Sequence, residues 1–455
     1  MSTVPIHQSG PAVYAVSGTS SRPIPLSFKL FAISIGFGVF STVADAYGWA
    51  GTSYNSLRDY IFVSVGPLFA WMSVFVGLSE GKLNDMKRFF VSWVFWVGTL
   101  IVFLFIYGVL IQNEFRLIGQ DVLLFSYFFA GLILGTRIDN WVTFDKLLTV
   151  IFLMGSVFTI LSWLSLGFVP ENRQSVQWTV PFWIWGGMLF AWPYFLLTID
   201  RGSIFRRIVA VSGIATFLVV AILVEKRAPI VQLGLLLVLS AYAFRNGSFS
   251  VQIRRASKSI LVCLFLIVAG WGILAVLGSG SYFRQASTSL FERFTDKGNV
   301  YDSFMSNPRI QLEPQYVLDQ LDDHELIFGR GLGGAVDLPS GIWGKRSGGL
   351  LHNGMASIAL KGGLVFLVIW SIGWLAFIVM FVKNKDPGLN VYYLPLLIVL
   401  LPSFVIGFLA LHPSLGFVMM CAGRCMSTWR PESTGVAEAL PADSVPVRGG
   451  TRRAS

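Results

Sequence analysis

Apolar stretches of about 20 residues, the length a helix needs to cross a hydrocarbon core about 30 Å thick, recur along nearly the whole chain. They fall near residues 29–46, 60–79, 89–111, 119–136, 146–168, 180–199, 207–224, 228–244, 259–278, 363–382, 391–411 and 413–427. The pattern predicts about twelve spans, the last of them short. It is broken at length only once, at residues 279–361, a polar segment between spans nine and ten. The fold expected is therefore all-α: a polytopic integral membrane protein with spans one to nine in residues 29–278 and spans ten to twelve in residues 362–427. Residues 1–28, rich in Pro, Ser and Gly, lack the short apolar core of a cleavable signal peptide and read as an uncleaved flexible lead. Residues 428–455 have no apolar periodicity and read as a disordered tail.

Composition agrees with lipid as the solvent. The chain is 54% apolar and 13% charged, against about 45–50% and about 25% in soluble domains. A net charge of +10 invites a nucleic-acid reading, but no basic run interleaved with aromatics supports one. The positive charge follows topology instead. With the N-terminus inside, 21 of the 34 Lys and Arg residues fall on inner segments, five on short outer loops and eight in the long segment. By the positive-inside rule both termini are then cytoplasmic and residues 279–361 face outward. In a bacterium this means the periplasm, with the protein in the inner membrane. Cys263, Cys421 and Cys425 all lie in apolar stretches without a C-x-x-C pair, so neither a disulfide framework nor a zinc site is indicated.

Within the long segment, Gln311 to Gly329 can form a helix with Val317, Leu318 and Leu321 on one side and an acidic opposite face. It stops at GRGLGG. That hexapeptide matches G-x-G-x-x-G at Gly329, Gly331 and Gly334, but no strand-helix-strand unit surrounds it and no acidic residue stands about 20 positions on. A tight reversal that returns the chain to the membrane is expected. His324 has carboxylates on both sides, an arrangement read as a solvated acidic helix face, with a metal site as the alternative.

Two places have the residues for chemistry. Glu225, Lys226 and Arg227 form a charged group in an otherwise weakly basic set of outer loops, just before Pro229, a residue suited to the first turn of a helix. Cations at the positive end of a helix dipole are disfavoured unless an anion joins them; the alternative is that Lys226 and Arg227 are interfacial side chains snorkelling to headgroups. The anion reading gains if a second basic group converges from the long segment, and Arg309 in NPRIQLEP is one candidate among several. His352, followed by Asn353 and then by the apolar helix of span ten, puts an imidazole at the outer surface. Its ordinary pKa of about 6.5 suits proton removal near neutrality, and a merely interfacial histidine is the alternative.

Three stretches, VEKRAPIVQL (Val224 to Leu233), NPRIQLEPQYVLDQL with FGRGLGG (Asn307 to Gly334) and LLHNGMASIALKGGLVFLV (Leu350 to Val368), resemble, in the same order, the marks of the O-antigen ligase and Wzy-type polymerase superfamily. These marks are an Arg opening a helix at the outer surface, an Arg some twenty residues before a glycine turn, and a His-Asn closing the long periplasmic segment before a Gly-rich helix. The likeness covers roughly residues 207–411; Ala228 and Pro229 after the first Arg, and the short last span, depart from it.

The resemblance implies a glycosyltransferase, with no metal ion or other cofactor, that takes a glycan from an undecaprenyl-pyrophosphate-linked oligosaccharide at the periplasmic leaflet. Carried over by position, Arg227 and Arg309, with Lys226 beside them, would hold the pyrophosphate. His352 would be the general base on the acceptor hydroxyl, with Asn353 supporting it. A polymerase is the reading favoured, with a chain-length regulator and a flippase of the same pathway as further partners beside the lipid bilayer. The alternatives are a ligase that passes the glycan to a lipid core or a protein, and a transporter without chemistry. A transporter is expected to carry ionisable residues within its spans, and spans two to eleven have none in their apolar centres.

Overall fold

The computed structural model describes residues 24–46, 57–81, 86–136, 141–166, 182–199, 203–223, 228–243, 308–337, 347–348, 351, 353–384, 386–406 and 412–428, with isolated positions between 261 and 292. These residues are almost entirely helical. The helices are α1 (Leu26–Ala46), α2 (Leu57–Ser79), α3 (Arg88–Leu110), α4 (Phe115–Gly135), α5 (Trp141–Leu166), α6 (Phe182–Leu197), α7 (Ile204–Leu223) and α8 (Ala228–Ala243). Then come α9 (Pro308–Gln320), α10 (Asp323–Phe328), α11 (Gly354–Lys383), α12 (Pro387–Ile406) and α13 (His412–Thr428). A two-residue antiparallel pair, β1 (Val336–Asp337) and β2 (Ser347–Gly348), is the sheet among the described residues. Helices α3, α4 and α11 and the stretch Phe144–Leu161 of α5 are long and apolar enough to cross a membrane, and several shorter apolar helices accompany them.

Helix α4 is the centre of the bundle. From Leu123 to Gly135 every residue is buried, the condition of a helix that is apolar all round and covered on all sides. Helix α13 packs along it closely enough that backbones touch. A Cβ added at Gly131 would strike the carbonyl of Gly416, and one added at Gly135 would strike that of Met420. Gly131 and Gly135 are four apart, the spacing that lets two helices approach where lipid supplies no hydrophobic drive between them. The last helix, short by the hydropathy pattern, is thus among the most buried.

Helix directions follow from matched contacts. Asp121, Phe125 and Phe128 of α4 meet Lys361, Phe366 and Trp370 of α11 in turn, so the two run parallel; the pairs from Gly131 to Gly416 and from Gly135 to Met420 make α13 parallel to α4 as well. Helix α3 runs against α11, since Trp93 lies by Ile369 while Leu104, farther along α3, accepts the N–H of Leu332 in the turn bonded to Leu360 and Lys361. Its Trp93 donates from Nε1 to the Ile369 carbonyl at 2.9 Å and packs edge-on to Trp374.

Where α5, α6 and α7 meet, Arg206 is buried. Its Nε and Nη2 each lie 2.7 Å from an oxygen of Asp145, and Nη1 donates to the Thr198 carbonyl at 2.9 Å. A bidentate guanidinium–carboxylate pair of this kind fixes orientation as well as energy. Arg206 is therefore a tie between helices.

The helix expected over Gln311 to Gly329 is two helices. Asp322 ends the first by capping the second: its side chain accepts the Glu325 N–H at 2.7 Å, and the Glu325 carboxylate accepts the Asp322 N–H in return. Such a reciprocal box satisfies two amides that a helix start otherwise leaves open. The expected apolar side is also narrower. Val317 is buried, whereas Leu318 is 55% exposed.

Candidate functional site

Leu351 and Asn353 are held against α9. Residues 309, 313 and 317 form one i, i+4, i+8 row on α9. Val317 joins Val336, Leu351, Ala356 and Leu360 in a small core of its own, separate from the main one. One turn earlier in the row, Glu313 is 1% exposed, and its Oε2 accepts the backbone N–H of Asn353 at 2.7 Å. Asn353 in turn caps α11, its Oδ1 accepting the Ala356 N–H at 3.0 Å. Asn is among the best residues for that position because its short side chain reaches the open amides of the first turn.

Helix α11 is not continuous. Gly363, at φ 60° and ψ −162°, is non-helical, a conformation that a side chain would resist. The break frees backbone carbonyls, and the glycine turn takes them: the N–H groups of Arg330 and Gly331 donate to the carbonyls of Leu360 and Lys361 at 2.8 and 2.9 Å. The turn is buried from Gly331 to Gly334. Asn113, between α3 and α4, donates from Nδ2 to the carbonyls of Arg330 and Leu332 at 2.7 and 2.8 Å. The expected reversal is present, and it is a plug set into the bundle.

Beneath that plug lies a buried ion pair. Lys361 Nζ is 2.5 Å from Asp121 Oδ2, and the same carboxylate oxygen accepts the Gly333 N–H at 2.7 Å. The side chains are 2% and 1% exposed. Ionisable residues at such depth are rare in membrane segments and are paired when they occur.

Lys226, Arg227 and His352 lie outside the described residues, as do Glu225 and residues 338–346. Helix α8 does start at Ala228, with Pro229 in its first turn. Arg309 lies in the first turn of α9. Two other basic residues of the long segment are already engaged: Lys361 with Asp121, and Arg330, whose guanidinium donates to the Glu325 carboxylate at 3.0 Å, to the Ala335 carbonyl at 2.8 Å and to the Gln320 carbonyl. His324 is exposed, its ring 5.1 Å from that of Phe328 and 6.4 Å from that of Tyr107.

The hydropathy pattern missed Glu313, Asn113 and the Asp121–Lys361 pair. Asp121 left a signal, as the one carboxylate in the apolar window 119–136, but nothing local names a partner 240 residues away. No family model, curated protein or solved structure matches the chain.

Proposed function

We propose that this protein is an inverting, metal-independent glycosyltransferase that polymerises undecaprenyl-pyrophosphate-linked oligosaccharide repeats at the periplasmic face of the bacterial inner membrane. The observation that carries the reading is the hydrogen bond from the Asn353 amide to Glu313. It joins two of the three stretches on which the superfamily resemblance rests, one turn from Arg309 on one side and one residue from His352 on the other. A base on the acceptor hydroxyl and a guanidinium on the donor pyrophosphate must act on opposite sides of one anomeric carbon, so their segments must meet.

In the reaction proposed, the acceptor hydroxyl oxygen bonds to the anomeric carbon as the bond from that carbon to the pyrophosphate oxygen breaks. His352 takes the hydroxyl proton. Arg227 and Arg309, with Lys226, meet the charge gathering on the departing pyrophosphate, a task suited to planar guanidinium groups. The twelve-span topology with both termini inside is part of the proposal. The parallel run of α4, α11 and α13 supports it, because spans four, ten and twelve of an alternating chain point the same way.

Deleting the gene and examining the surface glycan tests the reading. Single repeats still joined to their final acceptor are expected. Full-length glycan stranded on the lipid carrier would assign the ligase reaction instead, and an unchanged glycan would refute both.

A further inference from the structure

Helix α10 divides its polarity along its axis. Asp322 and Asp323 stand at its start, and Leu326, Ile327 and Phe328 close it, three adjacent apolar side chains that are 42%, 45% and 41% exposed. The backbone beneath them is clamped. A Cβ added at Gly363 would meet Ile327 and Phe328, and Gly329, which ends the helix, is buried. An apolar end held outward in this way leaves water-facing hydrocarbon unless something covers it, and contiguous exposed apolar surface marks a protein or membrane contact.

Contacts with α3 set the depth of α10. Its His324 ring neighbours that of Tyr107, three residues before the end of α3. The turn that follows α10 reaches further, where the Leu332 N–H donates to the Leu104 carbonyl at 2.9 Å; Leu104 lies six residues before that end, about 9 Å at the helical rise of 1.5 Å per residue. Helix α3 is long and apolar enough to cross a membrane, and its side chains are still apolar and exposed at Leu110. So α10 lies beside the last turns of a spanning helix, not above them. Irregular backbone at membrane depth must be buried in protein, and the turn from Gly331 to Gly334 is buried, with the carbonyls of Arg330 and Leu332 taken by Asn113.

The apolar end of α10 is also continuous with surfaces that a bilayer would cover. Exposed Phe103 of α3 stacks on Tyr107, whose ring leads through His324 to Phe328, 5.1 Å from it. On α11, which is also long and apolar enough to cross, exposed positions begin at Leu364, beside the break that α10 covers. We infer that the partner of this surface is the bilayer: Leu326, Ile327 and Phe328 enter the acyl region of the leaflet at the Leu110 end of α3, and Asp322 and Asp323 stay among its headgroups. The polar segment is thereby anchored in lipid beside its glycine turn. A soluble partner would suit an apolar face that stopped at the edge of the bundle, whereas this one runs on into two spanning helices. Insertion of α10 is independent of the reaction proposed above.

The test uses the full-length protein in nanodiscs of phosphatidylethanolamine and phosphatidylglycerol. Cys263→Ser removes one thiol, and the buried Cys421 and Cys425 stay in place. A nitroxide label is attached at Phe328→Cys or at Asp323→Cys. Its relaxation is read with oxygen, which concentrates in lipid, and with a nickel chelate, which stays in water. At Phe328→Cys oxygen is expected to relax the label more than the chelate does, and at Asp323→Cys the order is expected to reverse. Relaxation dominated by the chelate at both positions would place α10 in water and overturn the inference. Protection from both reagents at Phe328→Cys would overturn it too, and would assign the face to a second copy of the chain. Should Phe328→Cys fail to assemble, Leu326→Cys carries the same expectation and the same two ways to fail.

Discussion

Lys361 and Asp121, on α11 and α4, meet at 2.5 Å with almost no access to solvent. The contact closes the gap between the start of α11 and the largely buried α4, and the Gly333 amide shares the same carboxylate oxygen. The glycine turn, α11 and α4 are thereby fastened at one point.

Removing one partner of a buried pair strands the other charge, which typically costs about 3–5 kcal/mol, whereas replacing both with apolar groups is often neutral. Lys361→Met and Asp121→Leu are each expected to lower the melting temperature of the solubilised protein sharply. The double substitution is expected to melt above either single one. Additive losses in the cycle would mean that the pair is not coupled.

The break in α11 allows a test with built-in controls. At Gly363 a Cβ would meet the backbone of Ile327 and Phe328, at a φ of 60° that side chains resist. Gly363→Ala is expected to destabilise the fold and loosen α10 from α11. Gly36 and Gly234 lie within α1 and α8, and the space that a Cβ would take at either is open; alanine there is expected to be neutral or to stabilise by about 0.5–1 kcal/mol. Thermal shift measurements on the three variants separate conformational need from mere glycine content.

If Arg227 and Arg309 both grip the pyrophosphate, alanine at either abolishes transfer. Lysine is expected to rescue poorly, because an ammonium is a point charge without the planar fork. Full activity of Arg227→Ala in the oligosaccharide assay would return that residue to a role as a headgroup anchor.

His352→Ala is expected to slow transfer by at least about 100-fold, within the range general-base assistance supplies, with donor binding retained. His324→Ala and His412→Ala are expected to behave as wild type. The base must be neutral to accept a proton. Activity should therefore fall on the acid side as pH drops through the imidazole pKa, ordinarily about 6.5, and hold above it. EDTA is expected to have no effect; inhibition reversed by added metal would redirect attention to Asp322, Asp323 and His324.

Reporter fusions at Ser248 and Ser340 check the orientation. Activity of a cytoplasmic reporter is expected at Ser248 and of a periplasmic one at Ser340. Cytoplasmic activity at Ser340 would overturn the proposed reaction, because its lipid-linked donor is consumed outside.

The hydropathy pattern alone determined that the chain is built of apolar helices, where most of them lie, and that helical structure before Gly329 ends in a glycine reversal, since these depend on neighbours a few residues apart; the break at Asp322 was not read from it. The start of α8 at Ala228 was legible for the same reason. What only the tertiary structure decided is which distant groups share a hydrogen bond: Glu313 with Asn353, Asp121 with Lys361 and Gly333, and the break at Gly363 with the amides of Arg330 and Gly331. It also decided that the short last helix lies against α4, because close packing depends on where glycines on two helices face each other and not on how many apolar residues either contains. Lipid makes every apolar face equivalent to a sequence pattern. Polar pairs and glycine contacts, which are specific but carry no periodicity, select the one arrangement in which those faces meet.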